Sequence, residues 1–223
     1  MAAAMNYDQA RFNMIEQQIR PWNVLDPTVL KLLSIVRRED FVPEAQRALA
    51  FADLEIPLGA KPGQTLLAPK IEARMLQELA LKNTDTVLEI GSGSGYMAAL
   101  LAAKAEFVYA VDIDPAMVEM VRNNLAKAGV ANVSGDLGDA AQGWPLYAPY
   151  DAIVVSASMP VLPEALLRQL KIGGRLVAIV GELPAMQVQL VTRSDENAFT
   201  TNIVFETVAA PLINAPRHEK FVF

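Results

Sequence analysis

The most constraining feature of this chain is an aliphatic run that breaks into alternating glycines and resumes as a helical pattern, Val87-Leu88-Glu89-Ile90-Gly91-Ser92-Gly93-Ser94-Gly95-Tyr96. Thr86 to Ile90 is β-branched and aliphatic, as a strand buried in a parallel sheet requires, and Met97 to Ala103 is an alanine-leucine run suited to a helix. Between them the backbone must turn sharply. Glycines permit the turn, withdraw side chains where a ligand presses on the backbone, and leave the first helical amides free to donate. The stretch reads as a nucleotide cradle, with a plain Gly-rich strand-to-helix turn as the alternative.

The residues on either side extend this unit into a fold class. Phe107 to Asp112, Val133 to Asp136, Asp151 to Val155 and Leu176 to Val180 are further apolar strands. Helical patterns separate several of them: Pro115 to Leu125, closed by Gly129, and a run from Pro163 through Leu170. The alternation predicts an α/β chain, a doubly wound, mostly parallel sheet. Gln187 to Thr192 and Thr200 to Val208 alternate apolar and polar positions with no helix between, which predicts an antiparallel C-terminal edge hairpin.

Ahead of the sheet, residues 1–60 read as an N-terminal helical extension to a ligand-binding domain at 61–223, the two forming one unit. Its helices are predicted over Tyr7 to Ile19, after Asp26-Pro27 as cap and first-turn proline, and over Glu44 to Phe51; Arg37-Arg38-Glu39-Asp40 reads as a solvated turn. Leu58 to Pro69 is predicted as a loop and Lys70 to Leu81 as a helix. Met1 to Met5 reads as a leader or alternative start and is left out of the fold assignment.

Composition narrows the chemistry. With 52% hydrophobic residues a large core is available, and a formal charge of −6 without a basic cluster speaks against a nucleic-acid partner. The absence of cysteine excludes disulfides, thiolate metal sites and a Cys nucleophile, and one histidine, His218, excludes a polyhistidine metal site; no metal is expected. Neither a secretory pattern nor an apolar run of about 18 residues is present, so a cytoplasmic protein without a membrane partner is expected. Trp22 and Trp144 fit a core as readily as an interface, and oligomeric state stays open.

The glycine spacing then discriminates between ligands. Dinucleotide sites take Gly-x-Gly-x-x-Gly, whereas here the glycines are 91, 93 and 95 and position 96 is Tyr. Asp112 ends the second strand, 21 residues after Gly91, where a carboxylate can accept from two ribose hydroxyls; Ile113 follows it. The alternative for Asp112, capping the next helix, suits Asp114 before Pro115 better. Gly135-Asp136 ends the third strand, where a carboxylate can accept from the adenine amine. Glu89, buried ahead of the glycines, needs a partner near the ligand.

These residues resemble the protein-L-isoaspartate O-methyltransferase family, within the Rossmann-like methyltransferases that use S-adenosylmethionine. The shared parts are Phe41-Val42-Pro43, Pro57-Leu58-Gly59, Gly63-Gln64-Thr65, Pro69, Val87 to Tyr96, Gly135-Asp136, Pro149-Tyr150-Asp151 and Gln169 to Val177. The resemblance implies a seven-stranded sheet, S-adenosylmethionine as donor with S-adenosylhomocysteine as product, and methylation of isoaspartyl carboxylates in protein or peptide substrates for repair. It implies that Gly91, Ser92, Gly93, Ser94 and Gly95 hold the methionine end, Asp112 the ribose and Asp136 the adenine, with Glu89, Ile113, Gly135 and Leu137 also beside the cofactor. The loop Gln64, Thr65, Leu66, Leu67, Ala68 and Pro69 then covers the methyl group and receives the acceptor.

Two positions depart from the family. Its loop usually reads Gln-Thr-Ile-Ser-Gln-Pro, so Leu67 stands where a serine is expected and Ala68 where a glutamine is; Thr65 is the remaining hydroxyl. Leu137 stands where a glycine is typical, and Pro211 to Phe223 match no family ending. The departures keep open an altered acceptor or a noncatalytic adenosyl-ligand binder.

Overall fold

The computed structural model describes residues 5–59 and 61–217. In chain order it contains α1 (Tyr7–Met14), α2 (Pro27–Ile35), β1 (Ile56–Pro57), β2 (Thr65–Leu66), α3 (Pro69–Leu79), β3 (Thr86–Ile90), α4 (Tyr96–Ala102) and β4 (Phe107–Asp112). There follow α5 (Pro115–Lys127), β5 (Val133–Leu137), β6 (Tyr150–Met159), α6 (Glu164–Leu167), β7 (Leu170–Glu182), β8 (Ala185–Asp195) and β9 (Ala198–Thr207). The main sheet has seven strands in the order β5-β4-β3-β6-β7-β8-β9, as expected. β5 to β7 across that order are parallel, and β8 and β9 add an antiparallel edge.

Strand order decides where a ligand can sit. The chain leaves β3 toward β4 and β5, then returns to β6 on the other side of β3. The connections diverge at that point and leave a crevice at the carboxyl ends of β3 and β6.

Strand period 2 divides the core between two faces. Val87 and Ala152 join a cluster with Met14, Ile19 and Leu33 of the N-terminal segment and with Met75 and Leu100 of α3 and α4. Leu88, Ile90, Ile153 and Val155 join Leu166 and Leu176 on the opposite face. The N-terminal segment thus shares a core with the helices flanking the glycine turn.

Several local expectations change. Arg37 to Asp40 is no solvated turn: Arg38 and Glu39 are 1% and 2% exposed, paired with Glu72 and Arg11. These counter-ions lie far away in sequence, so local polarity misleads. The first helix is α only to Met14, then widens to a π turn at Ile15–Ile19 and tightens to a 3-10 turn at Arg20–Trp22, where Pro21 has no amide to donate. Glu44–Leu49 is 3-10, and α3 stops at Leu79, before Ala80 at φ +42°. The predicted loop supplies one side of a two-residue ladder, Leu66 pairing with Ile56 and Thr65 with Pro57. α6 has four residues because Leu170 already pairs with Tyr150 in the sheet.

Among the described residues, no helix is long and apolar enough to cross a membrane. Met1 to Ala4, of the leader read at Met1 to Met5, and His218 to Phe223 lie outside the described residues.

Candidate active site

The turn after β3 is built by three left-handed glycines, Gly91 at φ +77°, Gly93 at +51° and Gly95 at +82°. A Cβ on Gly95 would lie 3.3 Å from Val121 Cα, so this glycine lets α5 pack against the start of α4. A Cβ on Gly93 would lie 3.1 Å from Leu58 Cδ1, so the start of the Leu58 to Pro69 loop packs on the turn. The amide of Gly91 donates to Val111 O at 2.9 Å and locks the turn to β4.

The two acids after β4 divide their work. Asp114 caps α5, accepting from the Ala116 amide at 2.9 Å, and also takes Gln64 Nε2 at 3.0 Å. Asp112 is left to face the crevice. Its Oδ2 accepts from the Gly93 amide and its Oδ1 from the Asp114 amide, both at 3.0 Å. A carboxylate has about four acceptor positions, so two remain for a ligand. Burial raises the Asp112 pKa; the amide hydrogen bonds work against it.

A cleft opens at the carboxyl ends of β3, β4 and β6. Of the sequence-predicted residues, Gln64, Thr65, Gly91, Gly93, Asp112 and Ile113 line it. A second, smaller cavity lies against the same turn and gathers Glu89, Ser92, Ser94, Leu66 and Leu67 with Glu72 and Ser156. Here Glu89 is fully buried; Ser156 Oγ donates to its Oε1 at 3.1 Å, while Oε2 and the hydroxyl of Ser92 have no partner. Burial pushes the Glu89 carboxyl well above the usual range; the Ser156 hydrogen bond opposes this, and Glu72 and Asp112 add to it.

The loop from Gln64 to Pro69 is held by a buried ion pair. Leu67 is 4% exposed, and its carbonyl accepts from the Arg38 guanidinium, which also pairs with Glu72. Burial pushes Glu72 up to about 7, against the pull of Arg38. Ala68 is buried at the start of α3, its carbonyl taken by the amide of Ile71 at 3.0 Å. Thr65 Oγ1 donates to Glu55 Oε2 at 3.1 Å.

The residues that end β5 lie outside the lining of this cleft. Gly135 O is occupied by Arg122, at 2.9 Å from Nε and 2.6 Å from Nη2. Asp136 accepts from Ser134 Oγ at 2.7 Å, and Leu137 is exposed; none of Gly135, Asp136 and Leu137 lines the cleft. Asp139 does instead, because the Gly138 amide bonds Asp112 O at 3.0 Å and turns the chain across the end of β4. Asp139 accepts from the Ala141 amide at 3.0 Å and from Asn214 Nδ2 at 2.8 Å. A Cβ on Gly138 would meet Trp144 Cη2 at 2.4 Å, so a side chain there would displace the Trp144 ring that covers the turn. The available signal was a second Gly-Asp pair, Gly138-Asp139, upstream of Gly143-Trp144.

The C-terminal segment was missed as well. After β9 it crosses back, the Ser158 amide donating to Ala210 O and the Leu212 amide to Ser158 O, both at 2.8 Å. Pro211, Leu212 and Ile213 thereby close one wall of the cleft. Apolar character past the last strand was the available hint. Among the described residues, no group of three His, Asp or Glu is placed to hold a metal ion.

Comparison with known proteins gives one consistent result. Residues 9–216 match the Protein-L-isoaspartate(D-aspartate) O-methyltransferase (PCMT) family. A protein-L-isoaspartate O-methyltransferase of Rhodopseudomonas palustris is 42% identical over 203 residues, 91% of this chain and 92% of that protein. One of Methanoculleus marisnigri is 45% identical over 184 residues, 82% of this chain and 83% of its own. In fold, a Plasmodium falciparum protein assigned to this activity, solved in complex with S-adenosyl-L-homocysteine, superposes with a TM-score of 0.76 at 20% identity, covering 94% of this chain and 99% of that one. Sheet order, glycine turn and these relatives agree, and the chain belongs to the protein-L-isoaspartate(D-aspartate) O-methyltransferase family.

Proposed function

We propose that this chain methylates the free carboxylate of isoaspartyl residues in proteins or peptides, with S-adenosylmethionine as donor, in the cytoplasm. One observation carries the cofactor assignment: Asp114 caps α5, and Asp112, tied to the Gly93 amide, is left facing the crevice. The residues fit an adenosyl ligand. Gly91 to Gly95 present backbone where a side chain on Gly93 would crowd Leu58, and Glu89 Oε2 and Ser92 Oγ are buried polar atoms lacking partners. Glu89 and Ser92 therefore serve the charged methionine end, Asp112 the ribose hydroxyls, and Asp139, which lines the cleft, the adenine amine.

When bound, S-adenosylmethionine supplies a methyl carbon made electrophilic by its sulfonium. The chain need not supply a base, since an acceptor carboxylate with a pKa near 4 is already ionised at neutral pH. It must align the acceptor and exclude water. Leu58, Leu66 and Leu67 supply apolar surface around the glycine turn, and Thr65 supplies a hydroxyl on the cleft wall. The Leu67 side chain, buried while its carbonyl is held by Arg38, offers no donor. A missing hydrogen bond to a charged acceptor lowers the rate by roughly one to two decades, about 1.5–3 kcal/mol.

The test uses paired isoaspartyl and aspartyl peptides with labelled S-adenosylmethionine. Transfer to the isoaspartyl peptide alone is expected; equal, background-level labelling of both overturns the reading.

A further inference from the structure

The Thr65 hydroxyl has one hydrogen, and the fold has already committed it to Glu55. Glu55 precedes β1, and the pairing of Pro57 with Thr65 and Ile56 with Leu66 brings its side chain beside the substrate loop. It is half-buried and opens on an apolar groove that shares Pro62, Gly63 and Leu212 with the cleft. Nearby cations are engaged elsewhere, Lys61 with Asp114 and Lys70 with Asp53. The other charged groups along this groove are Glu182, at the end of β7, and Arg217 on the C-terminal segment. Among the described residues, no lysine or arginine forms an ion pair with Glu55. Burial lifts its carboxyl above the usual range, with the Thr65 hydrogen bond working the other way.

Such a pair has two hydrogen-bonding directions. An ionised Glu55 can only accept, so it keeps the Thr65 hydrogen and leaves that hydroxyl with lone pairs for an incoming carboxylate. A protonated Glu55 donates to Thr65 Oγ1, and the Thr65 hydrogen is then free to donate to the acceptor. We propose that Glu55 is a positioning residue for the methyl acceptor: in its protonated form it aims the Thr65 hydroxyl at the substrate carboxylate, so that substrate binding draws a proton onto Glu55. The proton comes from solvent and returns when the uncharged ester leaves. The inference rests on the isoaspartyl reading and deepens it, since the Glu55–Thr65 couple supplies a donor where the Leu67 side chain has none.

The experiment is calorimetry of an isoaspartyl peptide binding to protein loaded with S-adenosylhomocysteine, at pH 7 in buffers of different ionisation enthalpy. Net uptake of up to about one proton is expected, and Glu55→Gln should abolish that share of it. The glutamine amide can donate to Thr65 in place of the acid, so this variant should bind the peptide at pH 8 at least as tightly as the parent. With S-adenosylmethionine, the KM of the parent should rise by up to about tenfold per pH unit above the Glu55 pKa while kcat stays level; Glu55→Gln should be flat. Thr65→Val should erase the difference between the two. Equal proton uptake in parent and Glu55→Gln, or equal loss of peptide affinity in Glu55→Gln and Glu55→Ala, overturns the inference. A peptide that binds with proton uptake but is not methylated overturns the isoaspartyl reading alone, and failure of the parent to bind overturns both.

Discussion

The amide of Gly93 donates to Asp112 Oδ2 at 3.0 Å, tying the turn after β3 to the acid that ends β4. Asp112→Asn keeps the shape and removes the charge. S-Adenosylhomocysteine should bind it roughly ten- to a hundredfold more weakly by calorimetry, the range for a hydrogen bond to a charged group. Asp114→Ala should instead cost about 1 kcal/mol of stability in urea unfolding, through loss of the α5 cap, with the smaller effect on affinity.

Asp139 and Asp136 can be told apart in the same assay. Asp139→Ala should weaken S-adenosylhomocysteine about tenfold, because Asp139 lines the cleft. Asp136→Ala, on the Ser134 side of β5, should leave affinity within about twofold. The reverse ranking would return the adenine contact to Asp136.

Glu89 governs a pH dependence. Its pKa is raised in the fold, so the folded protein holds a proton that the unfolded chain releases above its ordinary value near 4.5. The resulting stability is present at low pH and is lost as pH rises through the folded value. Glu72, raised to about 7, acts in the same direction. Thermal unfolding followed from pH 5 to pH 8 should show a falling Tm, and Glu89→Gln should flatten part of that slope while keeping an acceptor for Ser156.

Leu67→Ser tests the family departure. Leu67 is nearly buried, so the variant should lose about 2–5 kcal/mol in urea unfolding, as truncated core leucines do. Methyl transfer per folded molecule should nevertheless rise, by up to about tenfold, if the hydroxyl reaches the acceptor. An unchanged or lower rate per folded molecule would show that position 67 acts only through packing.

Much of this molecule is written in local pattern. Apolar runs alternating with amphipathic stretches predict the strands of the sheet and its antiparallel edge, because burial on two faces and burial on one leave different periods. The spacing of Gly91, Gly93 and Gly95, with an acid 21 residues on, identifies the ligand end of the sheet, since backbone approach and ribose contact need those residue types there. The cap at Asp114 is equally local, set by an acid directly before Pro115.

Tertiary structure decided what depends on chain crossings. Arg38 and Glu39 looked solvated because their partners, Glu72 and Arg11, lie 34 and 28 residues away. Asp139 lines the cleft and Asp136 does not, because the chain crosses the end of β4 where the Gly138 amide bonds Asp112 O, a course set by where β5 ends against β4. Pro211 to Ile213 became a cleft wall through backbone bonds to Ser158, which composition cannot announce. Residue type and spacing determine which chemistry the glycine turn can host; long-range hydrogen bonds and buried ion pairs determine which side chains reach it, because no local pattern encodes a contact between distant segments.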